Sequence, residues 1–327
     1  MLELILGFGN QLRHALEVGE QASLKQTKKT IKNVMITGLG GSGIGGTMVS
    51  ELAAKNCSVP ILTNKGYYLP SFVNQETLVI CSSFSGNTEE TLEAFHQAKK
   101  NGAEIMCISS GGKLIDLAKE YQLNYIQLPS AESPRAMMGY SITQLFYSLE
   151  HYGLIGHYFK SEISKAADLI DLYQEEIKSD ALKIANILEG KIPIIYACDG
   201  FEGMAVRFRQ QLNENSKMLA WHGIIPEMNH NELVGWRSKN EKLAVIFFKN
   251  DTDYIRNQKR IDMNKQVVSE YTSSVIEYSS KGESMIEKTF FLVNVGDHIS
   301  FLLSQMNGVV AEEINVINKL KGALANF

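Results

Sequence analysis

The stretch that most constrains the fold of this chain reads Ser-Ser-Phe-Ser-Gly-Asn-Thr-Glu-Glu, at residues 82–90. An apolar run at residues 77–81 directly precedes it, and a helical pattern over residues 91–100 directly follows it. A strand, a hydroxyl-rich turn and a helix in this order predict an anion site, because the turn presents backbone N–H groups and the helix dipole adds partial positive charge. The turn contains no Lys or Arg, so we expect neutral hydrogen bonds to hold a phosphate there.

A capped helix start is the plainer interpretation of the same turn. Asn87 and Glu90 stand at the spacing of a capping box. A cap requires only one or two polar side chains, whereas this turn also contains Ser83, Ser85 and Thr88. The surplus of hydroxyl groups favours phosphate binding.

The composition is that of a soluble globular protein. The 327 residues allow two domains, and 44% of them are hydrophobic and 21% charged. The net charge of −4 and the lack of a concentrated basic segment argue against a nucleic-acid partner. Four widely spaced cysteines and short apolar runs predict a cytoplasmic protein without a membrane partner, and no Cys/His group has the spacing of a metal site.

Strand and helix patterns alternate along the chain and predict an α/β fold with two similar, doubly wound parallel sheets. The first series of predicted strands lies at residues 33–37, 60–64, 77–82, 104–109 and 124–128. The second series lies at residues 192–198, 242–248, 274–278 and 289–294. A helical zone separates the two series, so we predict an N-terminal domain at residues 1–152 and a C-terminal domain at residues 153–327.

A glycine-rich turn at residues 38–46 follows the first predicted strand and has six glycines in nine residues. It contains the G-x-G-x-x-G fingerprint of dinucleotide sites, but the next strand ends at Asn64-Lys65 without the acidic residue that holds a ribose. A dinucleotide site here would therefore have to bind NADP, with Lys65 as the partner of its extra phosphate. Alternatively, the glycines admit a smaller ligand close to the backbone, with Ser42 as a hydroxyl contact. A turn packed tightly on its neighbours is the third interpretation and the least favoured. Since the turn at 82–90 follows the third strand, both turns are expected at one edge of the sheet.

Titratable groups concentrate in the second half. A helix predicted at residues 203–217 places Arg207, Gln211 and Glu214 on one face. Glu214 is therefore a candidate base, although an isolated Glu on a helix is more often a solvated charge.

Two further segments carry candidate groups. The segment 221–232, which we predict to be a loop, contains His222 and His230, and the sequence pattern does not choose between them. Arg135 follows the fifth predicted strand, where it could meet a ligand or be a surface cation.

Taken together, these segments resemble the sugar isomerase (SIS) superfamily, and more narrowly the bifunctional phosphoglucose/phosphomannose isomerases. The resemblance covers nearly the whole chain. It rests on Gly-Gly-Ser-Gly at 40–43, the turn at 82–90, Pro-Arg at 134–135, Asn-Glu-Asn at 213–215, Asn-His-Asn-Glu at 229–232 and Ile-Asn-Lys-Leu-Lys at 317–321.

The resemblance implies an aldose–ketose isomerase, without metal or cofactor, that interconverts glucose 6-phosphate and mannose 6-phosphate with fructose 6-phosphate through a cis-enediol. Five residues would bind the substrate and its phosphate: Gly41, Ser42, Ser83, Ser85 and Thr88.

The resemblance also assigns catalytic roles to matching positions. Glu214 would move a proton between C1 and C2, and Arg135 would stabilise the enediolate. His230 would assist ring opening from the partner subunit of a homodimer, together with Lys321. Lys319 is the neighbouring alternative to Lys321, and both would otherwise read as solvated helix charges.

One segment departs from the family pattern. Where the family has a Pro-Thr-Pro-like stretch, this chain reads Ala-Glu-Glu-Ile at residues 311–314, a difference that bears on whether both C2 epimers are accepted. The other functions that the sequence leaves open are a non-catalytic sugar-phosphate sensor of the same fold, an isomerase of another phosphosugar and an NADP-dependent dehydrogenase.

Overall fold

A computed structural model describes residues 1–27, 29–131 and 133–324, which form two compact units. The N-terminal unit consists of Leu6–Leu172 and Gly282–Phe290, and the C-terminal unit consists of Met1–Ile5, Tyr173–Lys281 and the chain from Phe291 onward. The division of function between residues 1–152 and 153–327 stays a prediction.

The N-terminal unit is built on a five-stranded parallel sheet of order β2-β1-β3-β4-β5. Its strands are β1 Asn33–Thr37, β2 Ile61–Asn64, β3 Thr77–Ser82, β4 Glu104–Ser109 and β5 Asn124–Gln127. All six residues of the central strand β3 are buried, as expected where helices cover both faces of a parallel sheet.

The described residues of the first part of the chain form the helices α1 Leu2–Leu6, α2 Phe8–Glu20, α3 Gly40–Ala53, α4 Glu89–Lys100, α5 Gly112–Glu120, α6 Met138–His151 and α7 Tyr158–Leu172. A short 3₁₀ turn, Pro134–Ala136, precedes α6. The amphipathic helix α2 packs against α6 and α7, with Leu12 and Ala15 fully buried.

The C-terminal unit repeats the topology in a four-stranded parallel sheet of order β7-β6-β8-β9, the same winding as β2-β1-β3-β4. Its strands are β6 Ile192–Cys198, β7 Trp221–Ile225, β8 Leu243–Lys249 and β9 Val275–Ser279. The later helices are α8 Gln174–Leu188, α9 Glu202–Glu214, α10 Ile255–Ser269, α11 Met285–Met306 and α12 Asn315–Leu324. The prediction of two similar, doubly wound parallel sheets is confirmed.

Two sequence-based predictions are wrong. The strand predicted at 289–294 lies inside the 22-residue helix α11. Residues 286–300 are all buried, so this part of the helix has no solvent-exposed face to reveal a helical period. A short apolar run within it then fits a buried strand equally well. The loop predicted at 221–232 begins instead with strand β7, followed by the 3₁₀ turns Glu227–His230 and Glu232–Gly235.

None of the helices in the described part of the chain is long and apolar enough to cross a bilayer.

Candidate functional site

The two turns singled out in the sequence lie side by side at the carboxyl edge of the first sheet. β1 pairs directly with β3, with Thr37 opposite Cys81 at the strand ends. The strand order reverses at this pair, and in open α/β sheets such a switch point is where ligands bind. Helix α3 already begins at Gly40, within the predicted glycine-rich turn, and α4 begins at Glu89, at the end of the hydroxyl-rich turn. The direct pairing of β1 with β3 confirms the prediction that both turns share one edge.

The hydroxyl-rich turn is organised around Ser83. The hydroxyls of Ser83 and Thr88 are hydrogen-bonded at 2.8 Å, and the Gly86 N–H donates to Ser83 Oγ at 3.1 Å. Ser83 is buried and Thr88 is half-buried, whereas Ser85 is exposed. Thr88 is the N-cap residue of α4, but its side chain makes no cap hydrogen bond, so the first turn of α4 keeps backbone donors for a ligand.

The side chains at the start of α4 do not form the capping box. Asn87 Oδ1 accepts a hydrogen bond from the Lys113 N–H at 3.1 Å, at the start of α5. Asn87 therefore ties the hydroxyl-rich turn to the next turn along the sheet and leaves the start of α4 uncapped.

Close backbone packing holds the same turn rigid. Gly86 has φ +69°, and a Cβ at this position would lie 1.8 Å from Gly111 O. Phe84 O accepts from both the N–H and the hydroxyl of Ser110, at 3.0 and 2.6 Å, and Gly86 O accepts from the Leu114 N–H at 3.0 Å. Such a turn is organised before any ligand arrives, which lowers the entropy cost of binding.

Packing explains part of the glycine-rich turn. A Cβ at Gly38 would lie 2.6 Å from Ser82 O, one at Gly43 would lie 2.4 Å from Gly38 O, and one at Gly46 would lie 2.8 Å from Ile36 Cγ2. The tight-turn interpretation, the least favoured of the three from sequence, therefore accounts for these three glycines.

Gly41 is different, because a Cβ there would meet no atom within 4 Å. It precedes Ser42, which is 7% exposed at the start of α3. At the end of β2, Asn64 stands where a dinucleotide site has its acid, and its amide donates to Gly66 O at 2.8 Å. A Cβ at Gly40 would likewise meet no atom within 4 Å, so a ligand can approach this turn at Gly40 and Gly41.

Arg135 lies in the 3₁₀ turn Pro134–Ala136 and is partly exposed. This turn contacts α3, the helix that carries Ser42. The fold thus brings the predicted cation and the glycine-rich turn to the same part of the N-terminal unit.

In the C-terminal unit, Glu214 is the last residue of α9 and is half-buried. The predicted shared face of α9 is confirmed for Arg207 and Gln211, which both bind Asp297 of α11. Arg207 Nη2 lies 3.1 Å from each carboxylate oxygen of Asp297, and Gln211 Nε2 donates to Oδ1 at 2.8 Å. Burial raises the pKa of the Asp297 carboxyl, and Arg207 opposes that shift. This ion pair anchors α9 to α11.

The chain just beyond Glu214 is fixed by a residue that the sequence reasoning missed. Lys217 has φ +57°, and its Nζ donates to Glu214 O at 2.6 Å. It also donates to Val310 O and Glu313 O, both at 2.9 Å. No sequence signal distinguishes this Lys from an ordinary surface charge.

The two histidines occupy different environments. His230 is exposed at the end of the turn Glu227–His230. His222 lies on β7, where burial and the nearby Arg209 lower its pKa, and its Nε2 is 4.0 Å from Glu202.

Lys319 and Lys321 are both exposed on α12, a helix without a buried residue. Among the described residues, no group of His, Cys, Asp and Glu could hold a metal ion. The predicted binding residues and Arg135 thus belong to the N-terminal unit, and Glu214, His230 and Lys321 to the C-terminal unit.

Comparison with known proteins shows to which family this chain belongs. The profile of the bacterial phospho-glucose isomerase C-terminal SIS domain matches residues 177–324. A bifunctional phosphoglucose/phosphomannose isomerase from Caldicellulosiruptor bescii is 35% identical over 100% of this chain and 99% of its own length. A D-glucosamine-6-phosphate 4-epimerase from Sulfolobus acidocaldarius is 30% identical over 91% of each chain. The C-terminal domain of glucosamine-fructose-6-phosphate aminotransferase from Francisella tularensis has the same fold, with a TM-score of 0.77 at 15% identity over 96% of this chain and 98% of that domain. The chain is an SIS-fold protein and belongs to the family of bifunctional phosphoglucose/phosphomannose isomerases.

Proposed function

We propose that this chain is an aldose–ketose isomerase that interconverts glucose 6-phosphate and mannose 6-phosphate with fructose 6-phosphate. The observation that carries the proposal is the 35% identity to a bifunctional isomerase along the entire chain. The uncapped, hydroxyl-rich turn at the β1/β3 switch point supports a phosphorylated substrate.

The substrate phosphate is held by the turn that contains Ser83, Ser85 and Thr88. Hydroxyl and backbone N–H donors and the N-terminus of α4 bind the dianion without a permanent cation. Gly41 and Ser42 line the approach for the carbon chain. Binding energy from the remote phosphate orients C1 and C2 for reaction.

Glu214 is the base that moves the proton between C1 and C2. Removing the C2 proton of the open-chain aldose gives a cis-enediolate. Returning that proton to C1, while the hydroxyl proton moves from O2 to O1, gives the ketose. Because C2 is planar in this intermediate, protonation on one face yields glucose 6-phosphate and on the other mannose 6-phosphate. Arg135 stabilises the enediolate charge, a contact worth on the order of 3 kcal/mol in other enzymes.

Ring opening precedes this proton transfer, because sugar phosphates are mostly cyclic. A proton must leave the C1 hydroxyl and another must reach the ring oxygen, a task for groups that titrate near neutral pH. His230 from the partner of a homodimer and Lys321 take these roles. The exposure of His230 and the exposed apolar side chains Val316, Leu320 and Leu324 of α12 support an assembly with a second copy.

A coupled assay from fructose 6-phosphate, without added metal, tests the proposal. Glucose 6-phosphate is detected with its dehydrogenase and mannose 6-phosphate by chromatography. Both products are expected, and Glu214→Gln should lose about 100-fold or more of the turnover. Glu202→Gln on the same helix is the matched control and should keep it. A folded Glu214→Gln protein with normal turnover would show that the base is misassigned.

Epimerisation of an amino-sugar phosphate at C4 is the second candidate, favoured by the 30% identity to the Sulfolobus epimerase. Incubation with glucosamine 6-phosphate, followed by chromatography, detects it. A folded protein that binds fructose 6-phosphate but yields none of these products would be a sensor.

A further inference from the structure

We propose that Gln11, on α2, is a positioning residue that holds Arg135 in place for the reaction. This inference rests on the proposed role of Arg135 in stabilising the enediolate. Gln11 lies far from Arg135 in sequence and no family motif quoted above includes it, so it would pass as an ordinary helix residue.

The carboxamide of Gln11 bonds to the backbone on the C-terminal side of Arg135. Its Nε2 donates to Ala136 O at 2.8 Å, and its Oε1 accepts from the Gly139 N–H at 2.8 Å. The side chain is buried, with 7% of Gln11 exposed. One amide therefore satisfies both an acceptor of the 3₁₀ turn and a donor of α6.

The local sequence cannot supply these bonds. Met137 is the N-cap residue of α6 and makes no side-chain cap hydrogen bond. The first N–H groups of a helix have no partner within the helix, so a buried helix start requires an acceptor from elsewhere. Gln11 provides it for Gly139 from a position 128 residues earlier in the chain.

Little space remains for the backbone to move. A Cβ at Gly139 would lie 2.6 Å from Gln11 Oε1 and 3.0 Å from Leu12 Cδ2. The start of α6 therefore lies directly on α2, and a lost or shifted Gln11 releases Ala136, the residue bonded to Arg135. Catalysis is sensitive to such shifts, because a displacement of about 1 Å in a catalytic group can cost about 100-fold in rate.

The sharpest test is Gln11→Glu, which keeps the shape. An ionised Glu cannot donate to Ala136 O, whereas a protonated Glu can donate there and still accept from Gly139. We expect kcat to fall about 10- to 100-fold at pH 8 with KM changed less than about threefold. Because burial raises a carboxyl pKa, the ratio of variant to wild-type kcat should climb as the pH falls from 8 to 6.

Gln144→Glu is the matched control. Gln144 is a fully buried residue of α6 whose Nε2 donates to Ala15 O at 2.7 Å, so it joins the same two helices without contacting the Arg135 turn. This variant should lose stability but keep kcat and its ordinary pH profile. If Gln11→Glu does not fold, Gly139→Ala is the substitute, because its methyl group displaces the same carboxamide. This variant should likewise lower kcat with little change in KM.

A double-mutant cycle separates this inference from the proposed function. If Gln11 acts through Arg135, Gln11→Glu should have little effect in an Arg135→Ala background. Additive losses of kcat, or a loss matched by Gln144→Glu, would overturn the positioning role. An inactive wild type, or an Arg135→Ala variant with normal kcat, would instead refute the proposed function on which the inference rests.

Discussion

Lys217 should support both the stability of the C-terminal unit and the activity of Glu214. Two substitutions at this position separate the effect on stability from the effect on activity. The residue has φ +57°, a left-handed conformation that costs a non-glycine residue about 1–2 kcal/mol. Its Nζ offsets this cost, because its three N–H groups lie within hydrogen-bond distance of four carbonyl oxygens. These belong to Glu214, Val310, Ala311 and Glu313. Lys217 thus ties the end of α9 to the segment that departs from the family pattern.

Lys217→Met removes the hydrogen bonds of the ammonium group and keeps the backbone strain. Hydrogen bonds to a charged group contribute about 1.5–3 kcal/mol when buried, but this side chain is exposed, so we expect a total loss of about 2 kcal/mol. Lys217→Gly loses the same bonds but relieves the strain, and should therefore be about 1 kcal/mol more stable than Lys217→Met.

Activity should not follow this order of stability. Both variants release the backbone of Glu214, so both should lose about 10-fold or more in kcat. Urea unfolding gives the stabilities, and the coupled isomerase assay gives kcat. Lys183→Met, which removes an exposed Lys paired with Asp180 on α8, is the control and should change neither quantity appreciably. A Lys217→Gly enzyme with wild-type kcat, or a Lys217→Met protein of wild-type stability, would refute the reasoning.

Two further predictions concern acid stability and the glycine-rich turn. His298 is 3% exposed, and burial together with the Lys178 cation lowers its pKa from 6.5 to about 4. Between pH 6.5 and 4, this imidazole is therefore protonated in the unfolded chain but neutral in the folded chain. The free energy of unfolding should fall by up to about 3 kcal/mol as the pH drops through this range. Urea unfolding against pH measures this, and His298→Asn should flatten the curve; an unchanged slope would rule out His298 as the cause. Gly46→Ala should cost about 1–3 kcal/mol because its Cβ would lie 2.8 Å from Ile36, whereas Gly41→Ala should keep stability and raise KM. Thermal melts and KM values of the two variants test this contrast, which a normal KM for Gly41→Ala would contradict.

Local patterns sufficed for most of the sheet framework. β1, β3, β4 and β6 have the predicted bounds, because short apolar runs that end at glycine or hydroxyl turns have few alternatives in a parallel sheet. The same reasoning failed at 289–294, where uniform burial removes the periodicity that distinguishes a helix from a strand. It also missed β7, because Trp221–Ile225 mixes polar and apolar residues at the edge of its sheet.

The anion turn and its place beside the glycine-rich turn followed from the order of residues, since strand order and chain direction bring those two turns to one edge. The contacts that hold the candidate groups did not follow. The hydrogen bonds of Gln11 to the Arg135 turn span 125 and 128 residues, and Lys217 reaches carbonyls more than 90 residues away. A sequence shows which side chains can donate and accept hydrogen bonds. Only the tertiary structure decides which distant backbone groups come within about 3 Å of them, because that distance depends on how every intervening element packs.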